Sequence, residues 1–224
     1  MNFKIDKLVR SKRKTFSIEI SKNAELIVRV PIRATDEYIN NLIKDKADWI
    51  EKHLSKMRSK VEVLKERTYS NGDKILFLGI EREIVNNFSG KHTLKLNGNQ
   101  FELSSSSIEV SKVLFERWFK KIAKDTILSR AIHYSKITDL QFTDFHITSS
   151  HTRWGSCSAK NSINFTWRLI MSPLEVIDYV VIHELAHIKQ KDHSINFWRL
   201  VAKFDPTYKN KVKWLKDNGY LLNL

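Results

Sequence analysis

The chain has 224 residues, enough for one large domain or two small lobes with real cores, and its 42% hydrophobic content excludes a disordered class. It holds 39 Lys and Arg against 25 Asp and Glu, a formal net charge of +14, and a single cysteine, Cys157, which excludes an internal disulfide framework. No apolar run approaches the roughly 20 residues that span a bilayer, and the opening Met1-Asn2-Phe3-Lys4-Ile5-Asp6 lacks the apolar stretch of a secretion signal. The expectation is a soluble cytoplasmic protein that does not engage membranes.

The positive charge is not a tail. Residues 1–70 carry 17 basic and 10 acidic residues, net +7, and the remainder carries 22 and 15, again +7. A basic surface of this kind attracts phosphate-bearing partners, so nucleic acid or a nucleotide is a possible partner beside a peptide or protein substrate.

In chain order, Thr15 to Ile20 and Glu25 to Val30 alternate polar and apolar residues and predict two strands joined by a turn at Ser21 to Ala24. Thr35 is placed to cap a helix with Asp36 and Glu37 in its first turn. Ile39, Leu42, Ile43, Ile50, Leu54 and Met57 then predict one amphipathic helix over 36–58. The charged stretch 59–71 reads as a linker. Short strands are expected at Lys74 to Leu78, Arg82 to Phe88, Thr93 to Leu96 and Phe101 to Ser104, punctuated by Gly79, Gly90 and Gly98. Ser104 to Ser107 is a polar hinge.

Beyond that hinge the pattern turns helical. Val113, Leu114, Trp118, Ile122 and Leu128 mark a stripe on a helix from Val110 to about Lys136. Gln141 to Thr148 predicts a strand, and so does Ile163 to Ile170, where Phe165, Trp167 and Leu169 alternate with polar residues. Pro173 suits the first turn of a helix capped by Ser172. Two helices, about 195–204 and 207–218, follow. The organisation expected is α+β, with an N-terminal β-rich lobe over 1–105 containing one amphipathic helix, and a second domain over 106–224.

Chemistry is written most plainly in His183-Glu184-Leu185-Ala186-His187, an HExxH match. Residues four apart share a helix face, so both imidazoles can reach one ion, expected to be a single Zn2+ per chain. Glu184 is rotated away from His183 and can approach a water on that ion as general base without taking a ligand position. Apolar Val180, Val181, Ile182, Leu185 and Ala186 place the motif on a partly buried helix, where an unpaired His-Glu-His group would be costly.

A catalytic zinc needs a third protein ligand and an open position. No Glu follows Glu184, so the downstream candidates are His193, Asp192, Asp205 and Asp217. His193 lies six residues past His187, and a continuous helix would turn it away. The helix must therefore end near Lys189 to Lys191 and the chain fold back. His193 is favoured, with Asp192 as alternative ligand or outer partner. Arg153 can bind a carboxylate or phosphate or stabilise an oxyanion, or simply tie down the turn Arg153-Trp154-Gly155. Tyr208 can donate to a transition state or pack behind Pro206. Cys157 is read as a small buried apolar residue, and Trp154, Trp167, Phe197 and Trp198 as core.

The segments Arg153-Trp154-Gly155-Ser156-Cys157-Ser158, Arg168-Leu169, Pro173, Asp178 through His187, His193-Ser194, Phe197-Trp198, Pro206 and Tyr208-Lys209 together resemble the YgjP-like metallopeptidase family of predicted metal-dependent hydrolases, related to SprT-like proteins. The likeness is carried by residues of about 150–210. It implies a minimal zincin-like domain: a short sheet, an active-site helix and a third His after a turn. Position by position it implies ligands at His183, His187 and His193 and a base at Glu184. Thr166 is a further candidate substrate contact on its edge strand, although it departs from the family pattern, which commonly has Asn at this position.

Three functions are consistent with these residues. The first is a zinc peptidase that holds an extended peptide along the strand 163–170, taken as a sheet edge. The second is a metal-dependent hydrolase of a phosphorylated small molecule such as a nucleotide, motivated by 8 basic against 3 acidic residues in 189–224. The third is a nucleic-acid-associated protein, either a protease or a module with a structural zinc.

Overall fold

A computed structural model describes residues 3–21, 23–63 and 67–224. The chain forms two compact units, Met1–Glu66 and Arg67–Leu224.

In the first unit, β1 (Lys7–Ser11), β2 (Ser17–Ile20) and β3 (Leu26–Pro31) form a sheet in the order β1-β3-β2. β3 is central, parallel to β1 and antiparallel to β2. Its period of two buries Leu26, Val28 and Val30 completely. Ile39 and Ile43 of α1 (Asp36–Asp45) and Ile50 and Leu54 of α2 (Ala47–Val63) cover that face. The Thr35 hydroxyl caps α1 by accepting from the Tyr38 N–H at 3.2 Å. The single helix expected over 36–58 is thus two helices that break at Lys46. α2 also runs into the expected linker 59–71, of which 64–66 lie outside the described residues. β1 was not anticipated, because Lys7 to Ser11 is largely exposed and does not alternate.

The second unit starts with β4 (Lys74–Phe77), β5 (Ile80–Asn86), β6 (Thr93–Asn97) and β7 (Gln100–Ser104), ordered β4-β5-β7-β6. The long α3 (Ile108–Thr138) is capped by the Ser107 hydroxyl, which accepts from Val110 N–H. Its buried line is Ser111, Phe115, Phe119, Ala123, Ile127, Ala131 and Ser135, every fourth residue. The stripe expected from sequence sits beside this line, and Val113 is 54% exposed. Ser111, Ala123 and Ala131 carry little hydrophobic signal, which hid the true face.

Phe115 and Phe119 pack against Phe101 of β7 at 5.2 and 5.9 Å between ring centres. The β4–β5 turn passes through left-handed Leu78 and Gly79, whose N–H groups donate to the Ile170 and Met171 carbonyls at 2.8 and 3.1 Å. A Cβ on Gly79 would lie 2.7 Å from Pro173, so only glycine fits at the helix start behind it. These contacts correct the expected boundary at 105/106. The four-stranded sheet shares one core with α3 and the C-terminal elements, and the units divide at 66/67.

β8 (Phe145–Thr148), β9 (Gly155–Cys157) and β10 (Ile163–Thr166) make a third sheet in the order β8-β10-β9. β10 pairs parallel with β8 and antiparallel with β9, so it is central and not the edge strand expected. It also stops at Thr166, and Trp167–Met171 winds into a 3-10 helix with all five residues buried. The expected strand overran because those residues alternate in sequence although none faces solvent.

α4 (Leu174–Lys189), α5 (Ile195–Phe204) and α6 (Tyr208–Asn218) complete the unit. Pro173 is the cap residue of α4, not its first helical residue, and the Ser172 hydroxyl donates backwards to the Leu169 carbonyl at 2.7 Å. Arg130 of α3 and Asp178 of α4 form a two-pronged ion pair at 2.5 and 2.7 Å. The architecture is α+β, as expected, and no helix among the described residues is long and apolar enough to cross a membrane.

Candidate metal centre

α4 puts His183 and His187 on one face, with ring centres 5.0 Å apart. The helix ends at Lys189, and Gln190 to Ser194 turn back so that His193 comes to 5.1 Å from His183 and 4.7 Å from His187. One nitrogen of each ring lies within 4.8 Å of the others. The Nε2 atoms of His183 and His193 are 3.1 Å apart. Asp192, Asp205 and Asp217 do not join this group among the described residues. The Asp192 carboxylate accepts from the Ser194 N–H instead, and Asp205 pairs with Lys211 at 2.8 Å.

The outer nitrogens decide which tautomer each ring adopts. His187 Nδ1 sits 3.0 Å from the Gln190 carbonyl oxygen, which only accepts, so Nδ1 holds the proton and Nε2 presents a lone pair. His183 Nδ1 sits 3.4 Å from the Tyr179 hydroxyl one turn earlier on α4. The surrounding rings restrain the imidazoles: Phe197 stacks on His187 at 4.5 Å, Trp198 on His193 at 5.8 Å, and Tyr208 on Trp198 at 5.2 Å.

Electrostatics suits a cation. Burial, and then the neighbouring histidines, push His183 down to about 3, and burial also lowers His187. Both rings are therefore neutral near pH 7, the form that ligates. Glu184 is 5% exposed, and burial lifts its carboxyl to about 8 while Arg153 pulls the other way. Three imidazoles converging on one point, with a buried carboxyl beside them, fit a tetrahedral ion that keeps one position open.

Glu184 rests on β9. A Cβ on Gly155 would lie 2.6 Å from Glu184 Oε1 and 2.7 Å from its Cγ, so the strand can approach the carboxyl only because residue 155 has no side chain. This close approach locks the acid between the helix and the sheet.

A family profile described as "YgjP-like, metallopeptidase domain" matches residues 14–218. The chain belongs to the YgjP-like metallopeptidase family. Metal-dependent peptidase chemistry is therefore the general class of this domain. The UTP pyrophosphatase of Escherichia coli (strain K12) is 32% identical over 63 residues, which are 28% of this chain. The chain thus spans 38% of the length of that relative. Among solved structures, the metallopeptidase zymogen of Pyrococcus abyssi abylysin aligns with a TM-score of 0.37 at 26% identity, covering 40% of this chain and 92% of that one.

Within this YgjP-like centre the other expected site residues fall as follows. Arg153 is exposed on the segment leading into β9. Thr166 is 1% exposed and its hydroxyl donates to the Ser150 carbonyl at 2.8 Å, so it backs the site and anchors a loop. Tyr208 opens α6 and stacks on Trp198, which in turn stacks on His193. Cys157 is half-buried, with burial raising its thiol. Sequence reasoning missed Tyr179 and the contact role of Gly155. Tyr179 had a signal, its i,i+4 spacing from His183 in a buried helix. Gly155 had none, because its partner is 29 positions away.

Proposed function

We propose that the chain is a zinc-dependent peptidase, working in the cytoplasm, with His183, His187 and His193 as ligands and Glu184 as general base. The observation that carries this reading is the convergence of the three imidazoles, within 4.8 Å, beside a carboxyl clamped against Gly155. A zinc ion there would acidify water and polarise a scissile carbonyl. Glu184 takes a proton from the attacking water and returns it to the leaving amine. Its elevated pKa in the metal-free protein reflects burial, and a cation alongside would draw it down. The Gln190 carbonyl and Tyr179 hydroxyl orient the rings. The strand best placed to receive an extended peptide is the sheet edge β9, which touches Glu184, in place of central β10.

The test is zinc-loaded Glu184→Gln against wild type over a panel of peptides and denatured proteins. The variant should bind zinc as wild type does and cleave nothing. Wild-type-level cleavage by the variant would sink the assignment of the base.

A second reading is supported by one observation, the relative named UTP pyrophosphatase. Hydrolysis of a nucleotide would use the same centre, and the basic C-terminal region would favour the anion. Phosphate or pyrophosphate release from UTP, abolished in Glu184→Gln, would establish it in place of the peptidase.

A further inference from the structure

Next to Gly155, on the side of β9 reached from Arg153, lies a cavity of about 190 Å3. It is lined by Arg153, Ser150, Ser156 and Asn164, with Thr148 and Thr166 behind, and no carboxylate contributes to its wall. The hydrogen-bond inventory of these groups is lopsided. Thr148 donates to the Phe165 carbonyl and Thr166 to that of Ser150, so both protons are committed. Ser150 Oγ instead accepts from the Thr152 N–H at 3.4 Å, and Ser156 Oγ accepts from the Asn164 amide at 3.3 Å. Each of those serine hydroxyls keeps its own proton uncommitted. The Arg153 guanidinium, part of the cavity lining, makes no hydrogen bond or ion pair among the described residues.

The cavity therefore offers unspent donors and one full positive charge, with no carboxylate in its lining. Its position is fixed by β9: Gly155 both lines the cavity and lies against Glu184. A group seated in it would lie beside Glu184, as the near end of a molecule reaching the candidate metal centre must.

We infer that this cavity is an anion subsite, in which Arg153, Ser150 and Ser156 hold a carboxylate or phosphate of the substrate close to the bond being hydrolysed. The inference rests on the hydrolytic reading above. It makes the substrate an acidic small molecule or a chain end, rather than the neutral interior of a long peptide. A terminal carboxylate and a phosphoryl group share the chemistry that Arg153 recognises, planar or tetrahedral oxygens accepting a forked donor.

The experiment uses the full-length, zinc-loaded Glu184→Gln protein, so that binding is read without turnover. Calorimetry compares trialanine, trialanine amide and UTP, each with and without Arg153→Gln in the same background. Arg153 is exposed and unbonded, so its replacement leaves the fold unaffected, which matching melting curves will show. The expected result is one of two. Trialanine binds at least about fivefold tighter than its amide and Arg153→Gln erases that gap, which identifies a terminal carboxylate. Or UTP binding weakens at least about fivefold in Arg153→Gln while the two peptides bind alike, which identifies a phosphate. Smaller changes in every arm, or no binding of any probe, overturn the subsite. Failure of the hydrolytic reading shows separately, as cleavage by Glu184→Gln, and leaves these affinities readable.

Discussion

Replacing Gly155 by Ala isolates the contact that seats Glu184, the proposed general base. The added methyl would lie 2.6 Å from Glu184 Oε1, where ordinary contact begins near 3.4 Å, so the carboxyl must retreat by about 0.8 Å. It cannot simply swing into water, because Glu184 is 5% exposed and packed on both sides. Misplacing a reacting group by about 1 Å costs on the order of 100-fold in rate. We therefore expect kcat/KM to fall by roughly 30- to 100-fold, about 2–3 kcal/mol of transition-state stabilisation. Zinc affinity should hold within about threefold, since no imidazole is touched. The assay pairs initial rates on a cleaved substrate with a competitive zinc titration of the same preparation. Undiminished turnover in a folded Gly155→Ala protein would refute the argument that β9 positions the acid. An equal loss of zinc affinity would refute it too, by showing that the strand supports the whole centre rather than the base.

Other consequences can be checked independently. His193→Ala should weaken zinc binding beyond the roughly 10- to 100-fold that loss of an outer partner costs. Asp192→Asn should leave it unchanged, because that carboxylate faces the Ser194 N–H; the opposite ranking in a zinc titration would transfer the third ligand to Asp192. In metal-free protein His183 stays neutral down to about 3, whereas an unfolded histidine protonates near 6.5. The unfolded chain then binds the extra proton, so this ring's contribution favours the fold above pH 6.5 and is lost as pH falls from there towards 3. Denaturant midpoints of wild type and His183→Phe should accordingly converge or cross across that window; a constant difference would contradict the buried neutral ring. Asp178→Asn breaks the ion pair between α3 and α4, whose side chains are 27% and 16% exposed. A loss of about 1–3 kcal/mol is expected in urea unfolding, kept below the fully buried range by that exposure, and an unchanged midpoint would deny the tie.

The candidate metal centre was legible because its core is local: four-residue spacing on a helix places two rings together whatever the rest of the fold does. His193 was reached by a different route, from the absence of any later Glu and the need for the helix to end. β9 escaped notice because Gly155-Ser156-Cys157 is three residues long with no apolar alternation, and its importance arises across 29 positions of chain. Strand 163–170 was overread because periodicity cannot distinguish a strand from a 3-10 turn once every residue is buried, as in Trp167–Met171. The helix over 36–58 was read as continuous because the break at Lys46 carries neither Gly nor Pro.

The seven-residue buried line of α3 has a practical consequence for anyone seeking a smaller active fragment. Cutting at residue 105 leaves the three histidines and Glu184 intact in sequence, yet strips β4 to β7 from Phe115 and Phe119, both fully buried. Baring each large apolar side chain costs roughly 1.5–3 kcal/mol, against a whole-domain stability of about 5–15 kcal/mol. A fragment that keeps this core whole must therefore begin no later than about Arg67.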